Sequence, residues 1–115
     1  MYLNQKRKEK FNMKIRRNSG YSKEVAKMYI PSDTQIFSLS TELTQQVKWV
    51  DGKPTNEVTG YQAWFVAEGT EPFKVKFTKR VSLPKMLNQI SLTNLEACEV
   101  GSNVYFKATD LEVIN

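Results

Sequence analysis

The stretch Tyr61-Gln62-Ala63-Trp64-Phe65-Val66-Ala67-Glu68-Gly69-Thr70-Glu71-Pro72-Phe73-Lys74-Val75-Lys76-Phe77-Thr78-Lys79-Arg80 decides the fold. It reads as an aromatic-rich strand, a tight connection at 68–72, and a second strand in which apolar and basic side chains alternate. Successive side chains of a strand point to opposite faces, so Phe73, Val75 and Phe77 are expected in a core, with Lys74 and Lys76 on the other surface. Closing the hairpin with Ala67 opposite Phe73 sets Phe65 against Val75, Trp64 against Lys76 and Val66 against Lys74. A one-residue slip would reverse every assignment. That face carries a tryptophan beside two lysines, which is what a sheet needs to stack a base and neutralise the flanking phosphate. The same pattern also fits the solvated side of an ordinary half-buried sheet, so the rest of the chain must choose.

Upstream, Gln46-Val47-Lys48-Trp49-Val50 reads as a strand stopped by Asp51-Gly52-Lys53-Pro54, with extended structure resuming over 58–67 after a long polar loop. Shorter mixed runs at 25–30 and 35–41, separated by the turn residues Pro31-Ser32-Asp33, are expected as strands. Downstream of 73–80 the period changes. Leu83, Met86, Leu87 and Ile90 fall at i, i+3, i+4 and i+7 with Pro84 at an early position, which predicts a helix of about two turns. Strand patterning returns over 91–98, turns at 99–103, resumes over 104–108 and closes over 110–114. Val104, Phe106 and Ala108 are expected inward, Tyr105 and Lys107 outward.

The 115 residues suffice for one domain with its own core. A single cysteine, Cys98, cannot form an internal disulfide, and without histidine no ordinary zinc-ligand spacing exists, so neither metal nor cofactor is expected. No apolar segment has the length of a signal peptide or a membrane span, and a cytoplasmic protein is the economical expectation. The net charge of +5 is unevenly placed. Residues 1–17 hold Lys6, Arg7, Lys8, Lys10, Lys14, Arg16 and Arg17 against Glu9 alone, leaving −1 for the remainder. This reads as a basic flexible arm over 1–20 before a domain at 21–115, an arm suited to nucleic acid or to solubilising the domain. Met13 is a second possible start that would remove most of it. Residues 73–85 carry Lys74, Lys76, Lys79, Arg80 and Lys85 with no acid, whereas 86–115 are mainly acidic.

The element order is a long or bent first strand, a second, a third, a short helix, then two closing strands. That is the order of a mainly β, five-stranded OB-fold barrel with its helix between strands 3 and 4, in which the second and third strands and the adjoining loops hold the ligand. The basic and aromatic hairpin coincides with that surface. Over residues 46–114 the chain resembles small single-stranded-DNA-binding proteins of phages and Gram-positive conjugative plasmids. The likeness lies in Gly52-Lys53-Pro54, Val75-Lys76, Leu92-Thr93-Asn94-Leu95 and Phe106-Lys107-Ala108. It implies an OB-fold that coats single-stranded DNA during replication or transfer.

Catalysis is disfavoured. There is no histidine base, Cys98 has no partner visible in sequence, and the glycines form no phosphate cradle. Glu68 with Glu71, and Asp110 with Glu112, read as surface charge. A protein-docking or regulatory module on the same sheet is the alternative, since small barrels host many roles, and RNA is an alternative ligand. The expectation is a non-catalytic binder of single-stranded DNA. Its phosphate candidates are Lys48, Lys53, Lys74, Lys76, Lys79, Arg80, Lys85 and Lys107, and its stacking candidates are Trp64, Tyr105, Trp49 and Tyr61. A homodimer and contacts with other replication or transfer proteins are compatible with it.

Overall fold

In the structure, a computed structural model that describes residues 20–114, the first element is a helix, α1 (Lys23–Tyr29). The strand expected at 25–30 is thus corrected, for local reasons. Ser22 is extended and its Oγ accepts the Val25 N–H at 3.1 Å, while Glu24 lies in the first turn and Lys27 in the last. Cap and charges both favour a helix. Ala26 and Ile30, four residues apart, both reach the core. The expected basic arm, apart from Gly20, lies outside the described residues.

Eight strands follow: β1 (Ile36–Ser38), β2 (Thr44–Val50), β3 (Lys53–Ala67), β4 (Phe73–Phe77), β5 (Gln89–Thr93), β6 (Glu96–Val100), β7 (Asn103–Lys107) and β8 (Asp110–Val113). The protein is mainly β, and the expected five strands become eight in one sheet whose path runs β6-β7-β4-β3-β1-β5-β8, with β2 added to β3. The long β3 is the spine. It pairs with β2 along its first part, with β1 at its end (Ile36 opposite Ala67, Ser38 opposite Phe65), and with β4 on its other edge. β4 and β7 run parallel, with Lys76 beside Lys107; every other ladder is antiparallel.

Two turns are tighter than the sequence reading had them. Asp51 and Gly52 both have positive φ, 51° and 77°, so Val50 pairs with Lys53 across a two-residue turn and the expected polar loop becomes strand. Val100 likewise pairs with Asn103 across Gly101, at φ 62°. The expected strand at 91–98 is two strands, β5 and β6, broken where Asn94 adopts φ 55°.

The helix expected over 83–90, between strands 3 and 4, is absent. Its backbone is committed elsewhere: Leu87 N–H donates to the Ser38 carbonyl at 2.6 Å, and Asn88 C=O accepts the Ser38 N–H at 2.9 Å. Leu87 takes φ 70°, incompatible with a helix, and stays exposed with Met86 while Ile90 enters β5 and the core. The segment therefore edges β1.

Phe65, Val75, Phe77 and Ile90 are fully buried, with Ala26 of α1 and its C-cap Ile30 in the same cluster. Phe65 packs on Phe77 with ring centroids 6.3 Å apart, and Phe73 on Phe106 at 5.2 Å. Burying such side chains stabilises the fold by about 1.5–3 kcal/mol each. Among the described residues no helix is long and apolar enough to cross a membrane.

Candidate nucleic-acid interface

The β3–β4 hairpin keeps the expected parity but not the expected register. Phe65 faces Phe73, Trp64 faces Lys74, Ala63 faces Val75 and Gln62 faces Lys76, a shift of two residues from the expectation. Thr70 is the cause. Its N–H donates to the Ala67 carbonyl and its Oγ1 accepts the Ala67 N–H, both at 3.0 Å, so Ala67 closes its own turn over Gly69 at φ 85°. Pro72 has no N–H to extend the ladder past Phe73. On the opposite edge of β3, Val66 and Ala67 pair with β1. Because the slip is even, Trp64 and both lysines remain on one face.

That face is the wall of a groove of about 600 Å³ between β3, β4 and β7. Trp64 is 44% exposed, and Lys74 Nζ lies 5.5 Å from its ring centroid. The Trp64 backbone is held firmly: its N–H donates to Ser40 Oγ at 2.8 Å and its carbonyl accepts the Leu39 N–H at 3.0 Å. Lys76 is half-buried, its stem crossing Gly60 so closely that a Cβ there would stand 2.8 Å from Lys76 Cε. Tyr105, on β7, is 47% exposed and completes the opposite wall. Val75 and Phe77 are fully buried as expected, and Phe73 is half-buried.

The other sequence candidates are dispersed. Lys107 lines a neighbouring pocket that shares Tyr21 and Lys76 with the groove, its Nζ 4.6 Å from the Tyr21 ring centroid and 3.6 Å from the Glu96 carboxylate. Tyr61 shares the core parity of Ala63 and Phe65 and lies under the Arg80 guanidinium at 5.2 Å, away from the groove. Lys79 is paired with Asp110 at 3.3 Å. Lys85 is exposed in the segment before β5, and Lys48, Trp49 and Lys53 project on the β2–β3 hairpin without lining the groove. The arm cations Lys6, Arg7, Lys8, Lys10, Lys14, Arg16 and Arg17 lie outside the described residues.

Five polar groove residues were not among the sequence candidates: Tyr21, Gln46, Gln62, Glu71 and Asn103. Gln62 was legible, since it shares parity with Trp64. Tyr21 was not, because a bridge between Ser22 and Ala97 carries it there. Burial, with the Cys98 thiol and Tyr105 nearby, raises the Tyr21 phenol above its ordinary pKa, so it is neutral at neutral pH. The Tyr29 phenol donates to the Glu99 carboxylate; that bond raises its pKa and ties α1 to β6.

Chemically the groove offers aromatic faces, the ammonium groups of Lys74 and Lys76, neutral amides and one carboxylate, that of Glu71. Among the described residues no group of three or more histidine, cysteine, aspartate or glutamate side chains converges. No family model matches the chain, and neither a curated protein nor a solved structure was found to match it.

Proposed function

We propose that the chain is a non-catalytic protein that binds single-stranded DNA along the outer face of β3, β4 and β7, in the replication or transfer of a phage or mobile element. One observation carries the reading: Trp64 lies with Lys74, Lys76 and Tyr105 on the walls of one open groove. A base can stack on the exposed ring while the ammonium groups meet the phosphates on either side, a mode that tolerates any sequence.

The strand pairings support the OB-fold reading on which this rests. Only Asn94-Leu95 separates β5 from β6, and only Ala108-Thr109 separates β7 from β8. Thr109 N–H donates to the Thr93 carbonyl at 2.9 Å, so the two joins stay bonded to each other. Taken as two bent strands, they pair together along their length, one reaching β1 and the other running parallel to β4. With β1 and β2 read as a third bent strand, this reading has five strands in OB order, with β3 and β4 in the ligand-bearing positions. The helix departs from that pattern by preceding all the strands.

The test is a titration of tryptophan fluorescence against single-stranded DNA, single-stranded RNA and duplex at several salt concentrations. Single-stranded DNA should quench emission with little sequence preference, and the log-log salt slope should be about −0.7 per phosphate neutralised. Preference for duplex, or binding insensitive to salt, overturns the proposal; tighter binding of RNA reassigns the ligand.

A further inference from the structure

The outer face of the sheet carries polar side chains in rows that cross β4, β7 and β6. Lys76 of β4 stands beside Lys107 of β7, which stands opposite Glu96 of β6. Two residues back along β4 and β7 are Lys74 and Tyr105, both in the groove already described. Two residues on are Thr78 and Thr109, and Asn94 precedes Glu96 by two. Side chains two apart on a strand share a face, so one row follows the next at about 6.6 Å.

Thr78, Thr109 and Asn94 line a second pocket, of about 510 Å³, which meets the groove at Tyr21 and Lys76. The helix α1 contributes its first residue, Lys23, to the same pocket. Three lysines, Lys23, Lys76 and Lys107, thus line it against one carboxylate, Glu96, which Lys107 meets at 3.6 Å. Asn94 donates one amide hydrogen to Thr109 Oγ1 at 3.2 Å, and among the described residues its second has no partner. Tyr21 and Lys23 are set in place by the residue between them. Ser22 exchanges two backbone hydrogen bonds with Ala97, at 2.9 and 3.0 Å, which fastens both to the end of β6.

We propose that single-stranded DNA leaves the groove along β4 and β7 and enters this pocket, where Lys23 and Lys107 meet its next phosphate and Asn94 and Thr78 face the nucleotide. The inference rests on the reading of the groove as a DNA site, and adds to it a direction and an element. Charge sets the direction. Before β4 the groove ends on the carboxylate of Glu71, which repels a phosphate; past β4 it opens onto lysines. A strand that starts on Trp64 and Lys74 therefore runs along the β-strands, advancing by rows toward Thr78. The added element is α1, which stands before all the strands and joins the interface through Lys23.

Tryptophan fluorescence of the full chain, titrated with oligothymidylates of increasing length at several salt concentrations, tests it. On the shortest oligomers that bind, Lys23→Gln should match the wild type. On longer ones it should bind more weakly, with a log-log salt slope flatter by about 0.7, the share of one phosphate. Lys27→Gln removes the same charge from the same helix but lines neither space, and should follow the wild type at every length. Thr78→Glu brings a carboxylate to the pocket from the end of β4 and should reproduce the loss without touching α1. All three should keep native circular dichroism. Folded Lys23→Gln and Thr78→Glu variants that follow the wild type at every length, or a Lys27→Gln variant that loses as much as Lys23→Gln, overturn the extended path and leave the groove standing. A wild type that binds no oligothymidylate overturns the groove and this inference with it.

Discussion

Lys74 Nζ stands 5.5 Å from the centroid of the Trp64 ring, directly across the β3–β4 ladder. At an exposed site such a contact contributes about 0.5–1 kcal/mol, enough to bias the indole but not to fix it. On the proposed function, a base that stacks on Trp64 would compete with the ammonium for the ring, leaving Lys74 free to meet a phosphate.

Trp64→Ala should weaken binding of single-stranded DNA by roughly 1–3 kcal/mol, the loss of one base–aromatic stack. The exposure of its side chain means that thermal stability should hardly change. Fluorescence quenching and a melting curve on the same preparation separate the two effects; a collapse of the melting temperature would contradict the placement of Trp64 on the outer wall.

Val75→Lys and the double variant Lys74→Glu with Lys76→Glu should behave oppositely. Val75 is fully buried, and an unpaired ammonium there costs several kcal/mol, enough to unfold a domain of this size. The double glutamate variant should keep its native circular dichroism and lose binding at low salt. Retention of full affinity by that folded variant would move the interface off this face.

Glu96→Gln should tighten binding at low salt. Lys107 is held between the Glu96 carboxylate at 3.6 Å and the Tyr21 ring, and a phosphate must compete with both. The pair is partly exposed, so the gain should stay within about 1 kcal/mol. Lys107→Ala in the same background should cancel it, and isothermal titration over a salt series measures both.

Asp110 carries a pH dependence of stability. The Leu111 N–H, at 2.8 Å, and then Lys79 lower its pKa below the ordinary 3.8, so folding binds this carboxylate in its charged form. Its contribution is present above the ordinary aspartate range and is lost as pH falls through the depressed folded value. Asp110→Asn should lower the melting temperature at neutral pH, and the gap to the wild type should close as the solution is acidified. A gap that widens toward acid would refute the assignment.

How much could be read from residues alone depended on where the deciding contacts lay. The core parity of Val75 and Phe77 was legible because alternation over a few residues records which side is dry, and it carried the exposure of Trp64 and Lys74 with it. The register was not, since it depends on the Thr70 side chain bonding to the Ala67 backbone. Leu83, Met86, Leu87 and Ile90 had helical spacing, but that backbone answers to Ser38, which is distant in sequence. Ser22 was a helix cap in plain view, overlooked because the run after it was short. Tyr21 reached the groove through a pairing with Ala97 that no local pattern encodes.

The bridge between Ser22 and Ala97, with bonds of 2.9 and 3.0 Å in each direction, also governs the order of assembly. A helix of seven residues is marginal in water by itself, and α1 must wait until β6 exists to receive it. Loops that large close slowly, so α1 belongs to the last stage of folding and to the first stage of local opening. Amide protons of Ala26 and Ile30 should therefore exchange with solvent well before those of Ala63 and Phe65, leaving β3 as the slow-exchanging heart of the molecule.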